Sequence, residues 1–114
     1  MIRLTRFVMG CAVLAAAMPA AATPECTVPV ALWDRPRSGA AILATKELRP
    51  CVLALDGNPG ARLAIRHAAA VESALQAEEL RSWLAALAVD PERIELVPGL
   101  GPRDPLRLEV RTGP

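Results

Sequence analysis

The clearest period in the chain follows Ser73. Leu80, Trp83, Leu84 and Leu87 recur at i, i+3, i+4 and i+7 on one helical face, while Glu78, Glu79, Arg81 and Ser82 fall elsewhere. Ser73-Ala74-Leu75-Gln76 matches a capping box and predicts the helix start. Asp90-Pro91 predicts its end. Period-2 alternation predicts strands at Arg62–Arg66, Arg93–Val97 and Leu106–Val110. Val28-Pro29-Val30-Ala31-Leu32-Trp33 also alternates and predicts a first strand, with Pro29 at a sheet edge or near the strand start because proline cannot donate to a ladder. Ser38 to Leu48 predicts a helix capped by Ser38 and broken by Pro50. Cys51 to Leu55 fits two readings: a short helix opened by Pro50, or a strand paired through Asp56-Gly57-Asn58-Pro59-Gly60 with the next one. The order strand, helix, strand, helix, strand, strand predicts an α+β two-layer sandwich, a β-α-β-α-β-β mixed sheet with helices on one face.

The first 22 residues change the picture of the address. Arg3 and Arg6 precede the apolar run Phe7 to Met18, and Ala20-Ala21-Ala22 supplies small residues for a signal peptidase. A run of about 12 residues is short of the ~20 that span a bilayer, so a cleaved signal is expected over an uncleaved anchor. The apolar core continues past Cys11, against lipidation there. Residues 23–114 then form one small domain, near the size where a single core just suffices. Across them, ten Arg and Lys46 face 12 acidic residues, which gives 11 − 12 = −1. That balance leaves no electrostatic footprint for nucleic acid or anionic lipid. No transmembrane span is expected after signal cleavage.

Two cysteines remain in this part, Cys26 and Cys51. An even count in a small exported domain predicts a disulfide between them, against two buried thiols as the alternative. No metal is expected, because His67 is the only histidine and no Cys-x-x-Cys spacing occurs. Glu78 and Glu79 are neighbours that diverge by about 100° on a helix, so they form no cooperating acid pair. His67 has no recognisable nucleophile motif beside it. The expectation is a protein that is not an enzyme and carries no cofactor.

The stretch "AVDPERIELVPGLGPRDP", which follows Leu84-Ala85-Ala86-Leu87, resembles the second half of an OmpA-like C-terminal domain. Asp90, Pro91, Arg93 and Ile94 fit that family's Gly-Ile-Asp-Pro-x-Arg-Ile turn. Gly99, Gly101 and Pro105 fit its glycine pattern, with Leu100 in place of an aromatic. Both glycines allow positive φ, letting the chain leave one strand and cross to the next. Leu75 and Leu87 keep the family's interval from its Leu-Ser-x-x-Arg-Ala motif to the helix end. Asn58 to Ala68 resembles the approach to Gly-His-Thr-Asp, with His67 on the histidine, and "LRLEV" resembles the last strand. The resemblance covers Asn58 to Val110.

It implies peptidoglycan binding, in which an aspartate and an arginine grip the zwitterionic diaminopimelate group. In this chain Ala69 stands at the aspartate and Glu79 at the arginine, so the specific grip is expected to be lost. Arg66 or Arg81 is the candidate substitute for the guanidinium, and His67 is a further candidate ligand-binding residue, against a strand-end residue hydrogen-bonded to nearby backbone. The segment between His67 and Leu75 is short and helix-prone. "KELRPC" resembles the opening of the family's first helix, here cut to about two turns from Cys51 to Asp56. A Cys26–Cys51 bond would tie strand 1 to it.

The functional expectation is a non-enzymatic, periplasmic cell-envelope module, with a possible outer-membrane association. Its partner is peptidoglycan, weakly held or lost, or another envelope protein. The alternative is a small periplasmic protein-binding factor, an assembly factor or inhibitor, with a convergent fold. Trp33 exposed in an apolar patch would favour that alternative, whereas Trp83 is expected in the core.

Overall fold

The computed structural model describes residues 24–112, so the expected signal segment lies outside the described residues. The chain forms β1 (Glu25–Thr27), α1 (Gly39–Ala44), α2 (Arg49–Gly57), β2 (Arg62–Ala68), α3 (Val71–Ala86), β3 (Ile94–Leu100) and β4 (Arg107–Arg111), with 3-10 turns at Val30–Asp34, Lys46–Leu48 and Pro91–Arg93. The four strands make one mixed sheet in the order β1-β4-β2-β3. β4 runs antiparallel to both β1 and β2, while β2 and β3 are parallel and joined through α3. This is the expected α+β architecture.

One row of the sheet, Cys26, Leu108, Ile65 and Leu96, crosses all four strands on the face that meets the helices. Ile42, Leu48, Cys51, Leu55, Ala77, Leu80 and Leu84 close over it as a single apolar core, with Trp83 and Leu87 at its margin. Cys26 and Cys51 are disulfide-bonded, pinning β1 to α2. Neighbouring residues on the strands point the other way. There Glu25, Glu109, Ala64 and Glu95 form a row flanked by Arg66 and Arg107 on one side and Arg62 and Arg111 on the other. Ion pairs across and along the strands, Arg66 to Glu109 at 3.2 Å, Arg111 to Glu109 at 3.2 Å and Arg111 to Glu95 at 3.4 Å, knit that face. Burial pushes the Glu109 pKa up, but N–H groups of Arg111 and Arg66 bind its ionised form and leave the balance below the ordinary carboxylate range.

Several boundaries differ from the sequence reading. The first strand is Glu25–Thr27, not Val28–Trp33. Val28 donates the last ladder bond, to Leu106 O, and Pro29 has no N–H to continue. Leu32 then bonds back to Pro29 O, and the chain coils. Val28 and Leu32 are buried while Val30 is 66% exposed, so the apolar period there is a turn of helix, not an alternation.

The helix expected over Ser38–Leu48 is split. Ser38 caps it as expected, its Oγ accepting from Ala41 N at 3.0 Å. It ends at Thr45, whose hydroxyl donates to Ala41 O at 2.8 Å, and a 3-10 turn follows. For Cys51–Leu55 the helical alternative holds: α2 carries Pro50 in its first turn.

Ser73 does not start a helix. The N-cap is Ala70, and Ser73 Oγ accepts from Ala68 N at 2.9 Å, holding the end of β2 against α3. Nor does Asp90-Pro91 end α3. Ala88 at φ 76° does, with Val89 N bonding Leu84 O and Ala88 N bonding Ala85 O, a Schellman closure made without glycine. Asp90 instead caps the following 3-10 turn through Glu92 N. Of the two glycines, Gly99 takes positive φ, 121°. Gly101 does not; a Cβ there would lie 2.9 Å from the Asp104 carboxylate, which accepts from Gly101 N at the same distance.

Candidate functional site

A groove of about 530 Å³ opens where three segments converge: the 3-10 turn at Val30–Asp34 with the chain after it, the first half of α3, and the β3–β4 connection at Pro102–Leu106. Ser73, Leu75, Gln76 and Glu79 supply its helical wall. Val30 and Leu75 stand 66% and 63% exposed on it, and half-buried Trp33 lies between the turn and the core.

Its chemistry is dominated by Glu79. Arg37 Nε and Nη2 both donate to that carboxylate, the second at 3.3 Å. Trp83 Nε1 donates to it at 3.0 Å from one helical turn away. Arg37 is itself held by the carbonyls of Trp33, at 3.0 Å, and Arg35, at 3.1 Å. Its guanidinium carbon sits 5.4 Å from the centroid of the Trp33 ring, a cation–π contact. One carboxylate on α3 thereby anchors the segment that precedes α1.

The hydrogen bond from Arg37 draws the Glu79 pKa below the ordinary carboxylate range. The Trp83 N–H and the Arg37 charge act in the same direction, and burial acts against them. The folded pKa is the depressed one. The resulting stability is therefore complete above the unfolded value of about 4.3, and is lost as pH falls through the lower folded value. Glu79→Gln is expected to lower the thermal midpoint by a few degrees at pH 7, and the gap is expected to shrink as pH falls below about 4.3. The difference stays modest because the pair is about a third exposed. A midpoint gap that is constant with pH would show that the ionised form of Glu79 does not matter.

The candidate binding residues from the sequence are not gathered at the groove. Arg66 and His67 are adjacent in β2 and point to opposite faces. Arg66 lies in the ion lattice of the open face, bonded to Glu109. His67 Nδ1 donates to Ala68 O at 2.8 Å, a strand-end role. Arg81 is half-buried, and its Nε has no hydrogen-bond partner. Two residues beyond Glu79, it projects from another side of α3. Ala69 and Ala70 are the whole β2–α3 connection, too short to wrap a ligand.

Sequence reasoning missed Arg37, and it weighed Trp33 as an exposed docking residue, whereas Trp33 is half-buried and stacks on Arg37. The Glu79–Trp83 spacing of four was a legible signal; the approach of Arg37, 42 residues upstream of Glu79, was not. Among the described residues no cluster of His, Cys, Asp and Glu could hold a metal ion, and no helix is long and apolar enough to cross a membrane. No family model, curated protein or solved structure matches the chain.

Proposed function

We propose that this protein is a non-enzymatic, exported cell-envelope module of OmpA-like build, periplasmic and close to peptidoglycan, that has lost the specific diaminopimelate grip. The state of Glu79 carries this reading. A zwitterionic ligand needs a free guanidinium for its carboxylate and an acid for its ammonium. The Arg37 guanidinium at the groove is already occupied by Glu79 and two backbone carbonyls. Ala69 offers no carboxylate. The element order and the disulfide-pinned first strand support the kinship and the oxidising compartment.

A specific observation favours the second reading, a periplasmic protein-binding factor. Val30 and Leu75 present exposed apolar side chains on the groove beside Trp33, as a protein-docking surface does. Sedimentation of the protein with insoluble peptidoglycan tests the first reading. Weak retention, unchanged by Arg81→Ala or Arg66→Ala, is expected. Firm retention that Arg81→Ala abolishes would overturn the loss of grip. A photo-crosslinker at Leu75 that yields discrete protein adducts in the envelope would select the second reading.

A further inference from the structure

We infer that this protein pairs with a second copy of itself through α2, packed antiparallel across a two-fold axis between Val52 and Leu53. The two α2 helices bring Arg49 of each copy against Asp56 of the other. This contact is separate from the groove, and its failure leaves the reading of the groove untouched.

α2 buries Cys51 and Leu55 in the core and turns another face outward. Arg49, Leu53 and Asp56 fall at i, i+4 and i+7, within about 60° of one another on that outward face. All three are exposed, Leu53 by 63%, and Val52 flanks them half-buried. Leu43 of α1, 52% exposed, extends the apolar ground beside Leu53 around a dimple of about 230 Å³. Large exposed leucines side by side on a small domain mark a contact surface.

The charges identify the occupant. Among the described residues, neither Arg49 nor Asp56 forms an ion pair within the chain. Each also sits at the wrong end of its helix: Arg49 opens α2 and Asp56 lies in its last turn. Cations are favoured at helix C-termini and anions at N-termini, so both placements are unfavourable within one copy. An antiparallel second α2 reverses this. Its Asp56 lies beside the N-terminal end of the first helix, its Arg49 beside the C-terminal end, and the two helix dipoles oppose.

A face with a basic end, an apolar centre and an acidic end is complementary to itself under a two-fold axis, as an isologous contact requires. A net charge of −1 over residues 23–114, from 11 basic and 12 acidic side chains, raises little repulsion between copies. One nine-residue helix is less than a standard interface, so the dimer is a weak one.

Sedimentation velocity on the purified protein, from about 1 µM to about 1 mM, tests the pairing across the range suited to a small interface. The mass is expected to rise from one chain to two. Arg49→Asp and Asp56→Arg are each expected to raise the dimer Kd about tenfold, by setting like charges face to face twice. Combining both changes in one chain restores the dimer, and so does mixing the two single variants. Leu53→Glu abolishes it while circular dichroism of the monomer stays unchanged. A one-chain mass at every concentration would overturn the inference. So would a dimer that survives Leu53→Glu, or a double variant no tighter than either single one.

Discussion

The Cys26→Ala/Cys51→Ala variant is expected to lose about 3 kcal/mol of unfolding free energy, from the entropy of a released loop. The bond closes a sequence separation of 25 residues. For a domain whose whole stability is of order 5–15 kcal/mol, that is a large fraction. It corresponds to a drop in Tm of roughly 15 °C, at about 4–8 °C per kcal/mol for this size. The cost is high here because β1 is three residues long and pairs only with β4. A strand that short at a sheet edge is held by its covalent link and by the burial of Cys26 and Val28. Both sulfurs are shielded, Cys26 being 4% and Cys51 1% exposed, so a reductant reaches them only after the fold opens. Urea unfolding of the variant, with hydrogen exchange at β1, checks the claim. A loss under about 1 kcal/mol would mean that the ladder alone holds the first strand, contrary to the entropic account.

Arg93→Ala is expected to cost about 2–3 kcal/mol, for a different reason. Its guanidinium donates to three backbone carbonyls, with Nε to Ala61 O and Nη2 to Leu55 O and Asn58 O, all at 2.9 Å. Leu55 O belongs to the last turn of α2, where its backbone donor is Asn58 N at a long 3.4 Å. Asn58 and Ala61 belong to the link into β2. One side chain after α3 therefore closes the α2–β2 connection. Removing it leaves two partly buried acceptors, Ala61 O and Leu55 O, and the exposed Asn58 O without their charged donor, a bond to a charged group being worth about 1.5–3 kcal/mol. Arg93→Lys is expected to recover less than half, since one ammonium cannot span the fork that a planar guanidinium spans. Equal stability of the Lys and Arg proteins in urea would remove the fork from the explanation. The Asp-Pro-x-Arg-Ile pattern around Arg93 thus has a structural use, independent of any ligand.

Within the candidate site, sequence reasoning singled out Glu79 but could not supply its counter-ion. A lone glutamate on α3 reads as repulsive toward a ligand carboxylate. Bound to Arg37 and Trp83, it is part of a closed contact that fastens the N-terminal segment to the helix. Ser73 was similarly misplaced, because its hydroxyl serves the end of a strand instead of its own helix start.

The elements legible from residue order were those in which burial imposes a local period. The Leu80–Leu84–Leu87 face of α3, the strands β2, β3 and β4, and the Ser38 cap each follow from which neighbours must face the core or satisfy an end. The even cysteine count carried the disulfide in the same way, through compartment chemistry. Tertiary structure alone decided the strand order, the coiling of Val30–Asp34, the left-handed stop at Ala88, and the grips of Arg37 and Arg93. Those depend on where distant segments return. A guanidinium chooses among carboxylates and carbonyls by distance and desolvation, and spacing along the chain carries no record of either.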